Sequence, residues 1–215
     1  MKPRPSERRS PFLQRAMPVS PLSPHLPISP AVDQIVLGVD PGLATTGWGV
    51  VEKSAGTIRL QSYGAILTPA GTPLPERLRC LRRDLLKLIE VHAPAVLAIE
   101  QLYFAKFAVS IASTAQARGV ILVTAAEAGV PIVEYNPRAV KVATTGFGSA
   151  NKIQIQSMLQ RYFKLTVLPQ PDDAADALAL ALCHLQTHQS LKVSVSRRSK
   201  AAFEAELAAR AGVTL

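Results

Sequence analysis

Four acidic residues on three separated segments have the types and spacing to do chemistry together. Asp40 closes the apolar run Ile35 to Val39, and Glu100 closes the apolar run Val96 to Ile99. Asp173 and Asp176 sit three residues apart at the start of DDAADALALALCHL, a spacing that puts both on one face of a helix. Brought close, four carboxylates repel and raise one another's pKa unless a cation sits among them. A donor set of carboxylate oxygens with no His or Cys suits Mg2+ or Mn2+, hard ions that keep waters and accept phosphate oxygens. Two such ions about 3.5–4 Å apart activate a water and stabilise the leaving oxygen of a phosphodiester. Each acid also has a plainer use: Asp40 as a turn residue, Glu100 as a solvated strand end, Asp172 or Asp173 as a helix cap, Asp176 as a complement to a helix N-terminus. The neighbouring Asp172 reads as a cap, outside the quartet.

The elements that must position these acids follow from periodicity. Ile35–Asp40, Trp48–Val51 and Ile58–Leu67 read as strands joined by short turns, an antiparallel meander. A helix is predicted from about Pro75 to His92, with Leu78, Leu81, Leu85, Leu88 and Ile89 on one stripe and Arg79, Arg82, Arg83 and Lys87 outside it. Val96–Ile99 is a second buried strand, followed by a small-residue helix over Val109–Ala128 and a strand at Ile132–Tyr135. Asn136 and Pro137 form an N-cap and first-turn pair for a helix carrying Arg138 and Lys141. The loop TGFGS, Thr145 to Ser149, opens a helix bearing Lys152, and the last helix runs from Asp172 to about Gln189. Strands first, then alternating helix and strand, is the order of an α/β mixed sheet with helices on both faces.

The net charge of +9 is uneven: residues 1–30 carry five basic residues against one acid, residues 191–215 five against two, and the segment between only +2. The pattern is an acidic centre in a basic surround, which suits a polyanionic partner. Residues 1–32 hold nearly half of the 17 prolines and read as a disordered basic arm, with Met17 as a possible later start. Residues 33–190 make one folded domain and 191–215 a basic tail, with a short helix expected around Ala201–Ala211. Cys80 and Cys183 lack metal or redox spacing, and no apolar run reaches membrane-span length, so a reducing, cytoplasmic setting is expected.

VLGVDPGLATTGWGVVE, AIEQLYFAK, QARGV, EYNPRAVK, TGFGSANK and DDAADALALALCH occur in the order of the motifs of RuvC-type Holliday junction resolvases, and this chain resembles that branch of the RNase H-like superfamily over about Val36 to His188. The resemblance implies a five-stranded RNase H-like sheet and a homodimer on a four-way DNA junction, nicking two symmetry-related strands with Mg2+ or Mn2+, two ions per site. It places the metal-site acids on Asp40, Glu100, Asp173 and Asp176. It makes Lys141 and Lys152 contacts to the scissile strand, and it sets Tyr103 or Phe104 to stack on bases at the junction centre, although the family more often has Phe where Tyr103 stands. It further implies a branch-migration motor of the RuvA and RuvB type as partner, and association with the nucleoid while on DNA. Ala112, Ala115 and Ala117 would pack against a symmetry mate. Arg118 stays open between a DNA contact and an ion pair on its own helix.

Three other readings share parts of the signal: an actin-like ATPase through DPG, a YqgF-like nuclease acting on structured RNA, and a junction-binding module without catalysis. Gly47 and Gly49 are expected to leave room for a phosphate backbone beside Asp40.

Overall fold

The computed structural model describes residues 34–101 and 108–197, the side chains of 108–111 and 188–197 excepted. Strands β1 (Gln34–Asp40), β2 (Thr45–Ser54) and β3 (Thr57–Leu67) form the expected meander. Helix α1 (Leu74–His92) crosses to β4 (Val96–Glu100), and α2 (Ala108–Glu127) to β5 (Ile132–Tyr135). Helices α3 (Pro137–Thr145), α4 (Lys152–Phe163) and α5 (Asp172–Arg197) complete the described order. The sheet order is β3-β2-β1-β4-β5, with β1, β4 and β5 parallel. Helix α5 continues past residue 190, where the sequence places a domain boundary, because no proline or glycine interrupts QTHQSLKVSVSR. The expectations for the N-terminal arm, for Ala201–Ala211, and for Tyr103 and Phe104 lie outside the described residues.

Two hydrophobic layers sandwich the sheet. On one face Leu37, Val39, Leu97 and Ile99 pack with Leu81, Leu85 and Ile89 of α1 and with Ala117 and Ile121 of α2. On the other, Val36, Val96 and Ala98 pack with Val140 of α3, Ile155 and Leu159 of α4, and Leu178, Leu182 and Leu185 of α5. The three α5 leucines are at most 1% exposed, each contributing about 1.5–3 kcal/mol by burial. Side chains alternate along a strand, so Asp40 shares the face of Val36 and Gly38, and Glu100 that of Val96 and Ala98. Both acids therefore emerge beneath α5.

The glycines explain how close α5 comes. Gly38 pairs with Gly49, and Asp40 with Gly47, across β1 and β2. A Cβ on Gly38 would lie 2.0 Å from the Ala177 carbonyl oxygen, one on Gly47 1.9 Å from that of Asp173, and one on Gly49 2.7 Å from the Leu178 side chain. The space that the sequence reserves for a phosphate backbone at Gly47 and Gly49 is filled by α5, by its backbone at Gly47 and chiefly by the Leu178 side chain at Gly49. The alanines opposite, Ala174, Ala177 and Ala181, are fully buried, and they complete a seam in which helix and sheet touch with almost no intervening side chain. Among the described residues no helix is long and apolar enough to cross a membrane.

Because the obstacle at Gly38 is backbone, it cannot step aside. Gly38→Ala is expected to destabilise the fold by about 2–4 kcal/mol in urea melts, at the upper end of overpacking costs. Gly71→Ala, with nothing near its Cβ position, is expected to stay within about 0.5 kcal/mol of the parent.

Candidate active site

The register Val39↔Ile99 sets Asp40 beside Glu100 at the carboxyl ends of two adjacent parallel strands. The open end of a parallel sheet is where ligands bind in layered α/β folds. Above it stands the first turn and a half of α5, with Asp172, Asp173 and Asp176. Asp40, Glu100 and Asp176 line one cavity of about 130 Å³ together with Pro137, Val140 and Lys141 of α3, Lys152 and Ile155 of α4, and Leu180. Asp173 is not among its walls, although its charge acts on both Asp40 and Asp176. Two larger surface hollows, of about 620 and 540 Å³, have no carboxylate in their lining.

Each basic residue is placed by local structure. Asn136 caps α3, its side chain accepting from the Arg138 N–H at 2.8 Å, and Pro137 opens the helix. Pro137, Val140 and Lys141 then share the face turned to the cavity. Asn151 and Gln154 form a reciprocal capping box at the start of α4, with both bonds at 2.9 Å. This pair is not among the expectations drawn from sequence, although an Asn followed three residues later by Gln is signal enough to find it. Lys152 is thus the first residue of a tightly capped helix, where a cation meets the positive end of the helix dipole at a cost of about 0.3–1 kcal/mol. Its compensation lies across the cavity mouth, with Nζ 3.8 Å from carboxylate oxygens of both Asp172 and Asp176. At 62% exposure and that distance the pairs contribute at most about 1 kcal/mol. Asp172, expected as a cap, also accepts from the buried Gln156 amide at 2.9 Å.

Electrostatics single out Asp40. Burial, then the charges of Asp176, Glu100 and Asp173, push its carboxyl from the usual range up to about 8, against a smaller opposing pull from Lys152. Burial also raises Glu100, reinforced by Asp176 and opposed by Lys141 and Arg118. Asp176 is raised by burial too, with Lys152 opposing. Among the described residues no three His, Cys, Asp or Glu side chains are drawn together into a formed metal cluster. The donors nonetheless fit a hard divalent cation, because the acids lining the cavity offer only carboxylate oxygens and their ionised forms lack sufficient counter-charge.

Arg118 goes to neither place that the sequence left open for it. It is buried, donating to the Glu100 carbonyl oxygen at 2.5 Å and pairing with Glu134 of β5 at 2.6 Å. Ala112 and Ala115 are exposed, whereas Ala117 turns into the core and is unavailable to a symmetry mate.

The family model described as "Crossover junction endodeoxyribonuclease RuvC" matches residues 36–184 of this chain. The chain belongs to the RuvC family. Curated RuvC relatives include that of Chloroflexus aggregans, 49% identical over 73% of this chain and 95% of the relative, and that of Syntrophomonas wolfei, 45% identical over 77% and 96%. Among solved structures, T. thermophilus RuvC in complex with Holliday junction substrate is 34% identical, with a TM-score of 0.68 over 73% of this chain and 96% of that one. The five-stranded RuvC sheet described above is accordingly of the RNase H-like kind.

The raised Asp40 sets the sign of a pH effect on this RuvC chain without metal. Between the unfolded and folded pKa values, about pH 4 to 8, the folded state keeps a proton that the unfolded state has lost, so stability falls as pH rises. Each pKa unit corresponds to about 1.4 kcal/mol. In chelator, Asp40→Asn is expected to be more stable than the parent at pH 8 by about 1–3 kcal/mol, with the gap closing towards pH 5 in thermal melts. A gap independent of pH would contradict the burial and repulsion assigned to Asp40.

Proposed function

We propose that this chain resolves four-way DNA junctions as a homodimer, hydrolysing one phosphodiester in each of two opposed strands. The observation that carries this reading is the meeting of Asp40, Glu100 and Asp176 with Lys141 and Lys152 around one cavity at the open end of the sheet. Asp40, Glu100, Asp173 and Asp176 would hold two Mg2+ or Mn2+ ions. Such ions, when bound, activate water and neutralise charge that develops on the phosphate oxygens. The RuvC family is one of metal-dependent nucleases, and the stacked negative charge here supports the same need in this chain.

The chain's own residues do the rest. Asp40 and Glu100 are fixed by adjacent strands, so their separation is set by the sheet. Asp173 and Asp176 approach from above on a helix that cannot move closer or pivot freely. Lys141 and Lys152 meet the scissile strand as point charges on its phosphates. Each nick consumes one water and breaks one P–O bond. The surface around the lysines favours a polyanion: residues 136–164 contain Arg138, Lys141, Lys152, Arg161 and Lys164 and no acidic residue. The 540 Å³ hollow on that surface adds Phe147, 72% exposed, and Ile153, an apolar strip suited to sugars and base edges.

A two-fold dimer gives two equivalent sites for a two-fold junction. Ala112, Ala115, Gly119 and Val123 are exposed along α2 at spacings of three and four, and they support that helix as the contact. Stacking by Tyr103 or Phe104, a motor of the RuvA and RuvB type as partner, and cytoplasmic residence with nucleoid association on DNA belong to the same reading.

Cleavage of a mobile four-way junction is the decisive experiment, with linear duplex and structured RNA as competing substrates and Mg2+, Mn2+ or chelator present. Asp40→Asn and Asp176→Asn are each expected to lower the single-turnover rate by about 10³-fold or more while retaining junction binding. Lys152→Ala is expected to weaken both binding and rate by about tenfold, with a shallower salt dependence of binding. Near-parental cleavage by the two Asn variants in Mg2+ would overturn the assignment of the acids. Preferential cutting of RNA would overturn the substrate.

A further inference from the structure

Arg118 lies in a motif, QARGV, for which the proposed reaction has no use. Its side chain is 9% exposed, so it cannot reach DNA from where it lies, and a buried guanidinium is costly unless its donors are engaged. They are engaged with two strands at once: Nη1 donates to the Glu100 carbonyl oxygen at 2.5 Å, and Nη2 meets Glu134 Oε1 at 2.6 Å. We propose that Arg118 is the positioning residue for Glu100, clamping the tip of β4 against β5 so that the Glu100 carboxylate enters the acidic cavity at a fixed place.

The local chain explains why a side chain is needed. Glu100 is the last residue of β4; β1 beside it runs directly into Pro41, and β5 is followed by Asn136 and then Pro137. Proline has no N–H to offer, so neither neighbour has a backbone donor at those positions just beyond the paired strands. On the β5 side Glu100 pairs with Tyr135, and the Gln101 N–H donates to the Tyr135 carbonyl oxygen at 2.8 Å. Arg118 adds a side-chain hold from α2. The rigid fork of a guanidinium holds two acceptors on different strands at a set separation, whereas an ammonium is a point charge on a flexible stem. Carbonyl and carboxylate belong to the same residue, so a shift of one moves the other. The clamp therefore acts on the metal-binding acid without touching metal or substrate, and groups that orient a ligand in this way typically govern metal affinity by about 10–100-fold.

This inference rests on the proposed metal site, and the test separates the two. Mn2+ binding to the full chain, without DNA, is measured by calorimetry or water-proton relaxation for the parent, Arg118→Met, Arg118→Lys, Glu134→Gln and Asp40→Asn, alongside thermal melts and junction binding in chelator. Arg118→Met is expected to bind Mn2+ at least about tenfold more weakly while keeping junction affinity within about twofold. Arg118→Lys should lose nearly as much, because the fork rather than the charge is required, and Glu134→Gln less. If Arg118→Met does not fold, Arg118→Lys and Glu134→Gln carry the test. Parental Mn2+ affinity in the folded Arg118 variants overturns the proposal, and so does a parallel loss of Mn2+ affinity, junction affinity and melting temperature, which would mark a general structural brace. Unchanged Mn2+ binding by Asp40→Asn would instead indict the metal site itself.

Discussion

Everything in this fold depends on how near α5 can lie to the backbones of β1 and β2. A helix resting on a sheet through ordinary side chains is held off by a full layer of them, too far for short acids on both elements to share a small cavity. Here Gly38, Gly47 and Gly49 remove the side chains on one side and Ala174, Ala177 and Ala181 reduce them on the other. The lost side chains cost hydrophobic burial along the seam. Leu178 occupies the place left open at Gly49, and Leu182 and Leu185 add burial further along α5. The contact between helix and sheet is largely backbone on backbone, which has no rotamers to rearrange.

The site is then an electrostatic debt held in place by packing. Carboxylates on two strands and one helix cannot relax apart, since each is anchored in an element whose other residues are buried. Burial is the largest influence on Asp40, Glu100 and Asp176 alike, ahead of their mutual repulsion. Stability and function therefore pull in opposite directions at these positions, as is common where a fold prepares a place for charge. Lys141 and Lys152 reduce the imbalance without cancelling it.

Much of this was legible in the chain. An apolar run ending in a single acid reads as a buried strand delivering a carboxylate, and it does so for Asp40 and Glu100. Asn136-Pro137 marks the start of α3 to the residue. The meander, the element order and the family resemblance follow from local pattern and motif order, which is why they survive into three dimensions. The role of the glycines was not legible, because the spacing of Gly47 and Gly49 acquires meaning only through the register that pairs Gly38 with Gly49 and Asp40 with Gly47. Space expected to admit a phosphate admits a helix instead. Arg118 was equally opaque: its partners lie 18 and 16 residues away on two different strands, and its own helix gives no hint of either. Asp172 looked like a cap, and only the packing of α4 against α5 reveals Gln156 as its partner.

Under the proposed function, the pairing of Lys152 bears on how DNA is received. Binding of a polyanion is usually driven by the small ions that it sheds as lysines and arginines replace them. Lys152 is already leaning on Asp172 and Asp176, so if it turns to a phosphate, as proposed, the vacated carboxylates call for other cations. Its engagement is then an exchange of partners that takes up positive charge at the carboxylates while releasing it from the DNA. On that reading the arrival of substrate and the filling of the acidic cavity favour one another, by no more than the roughly 1 kcal/mol that such exposed pairs contribute.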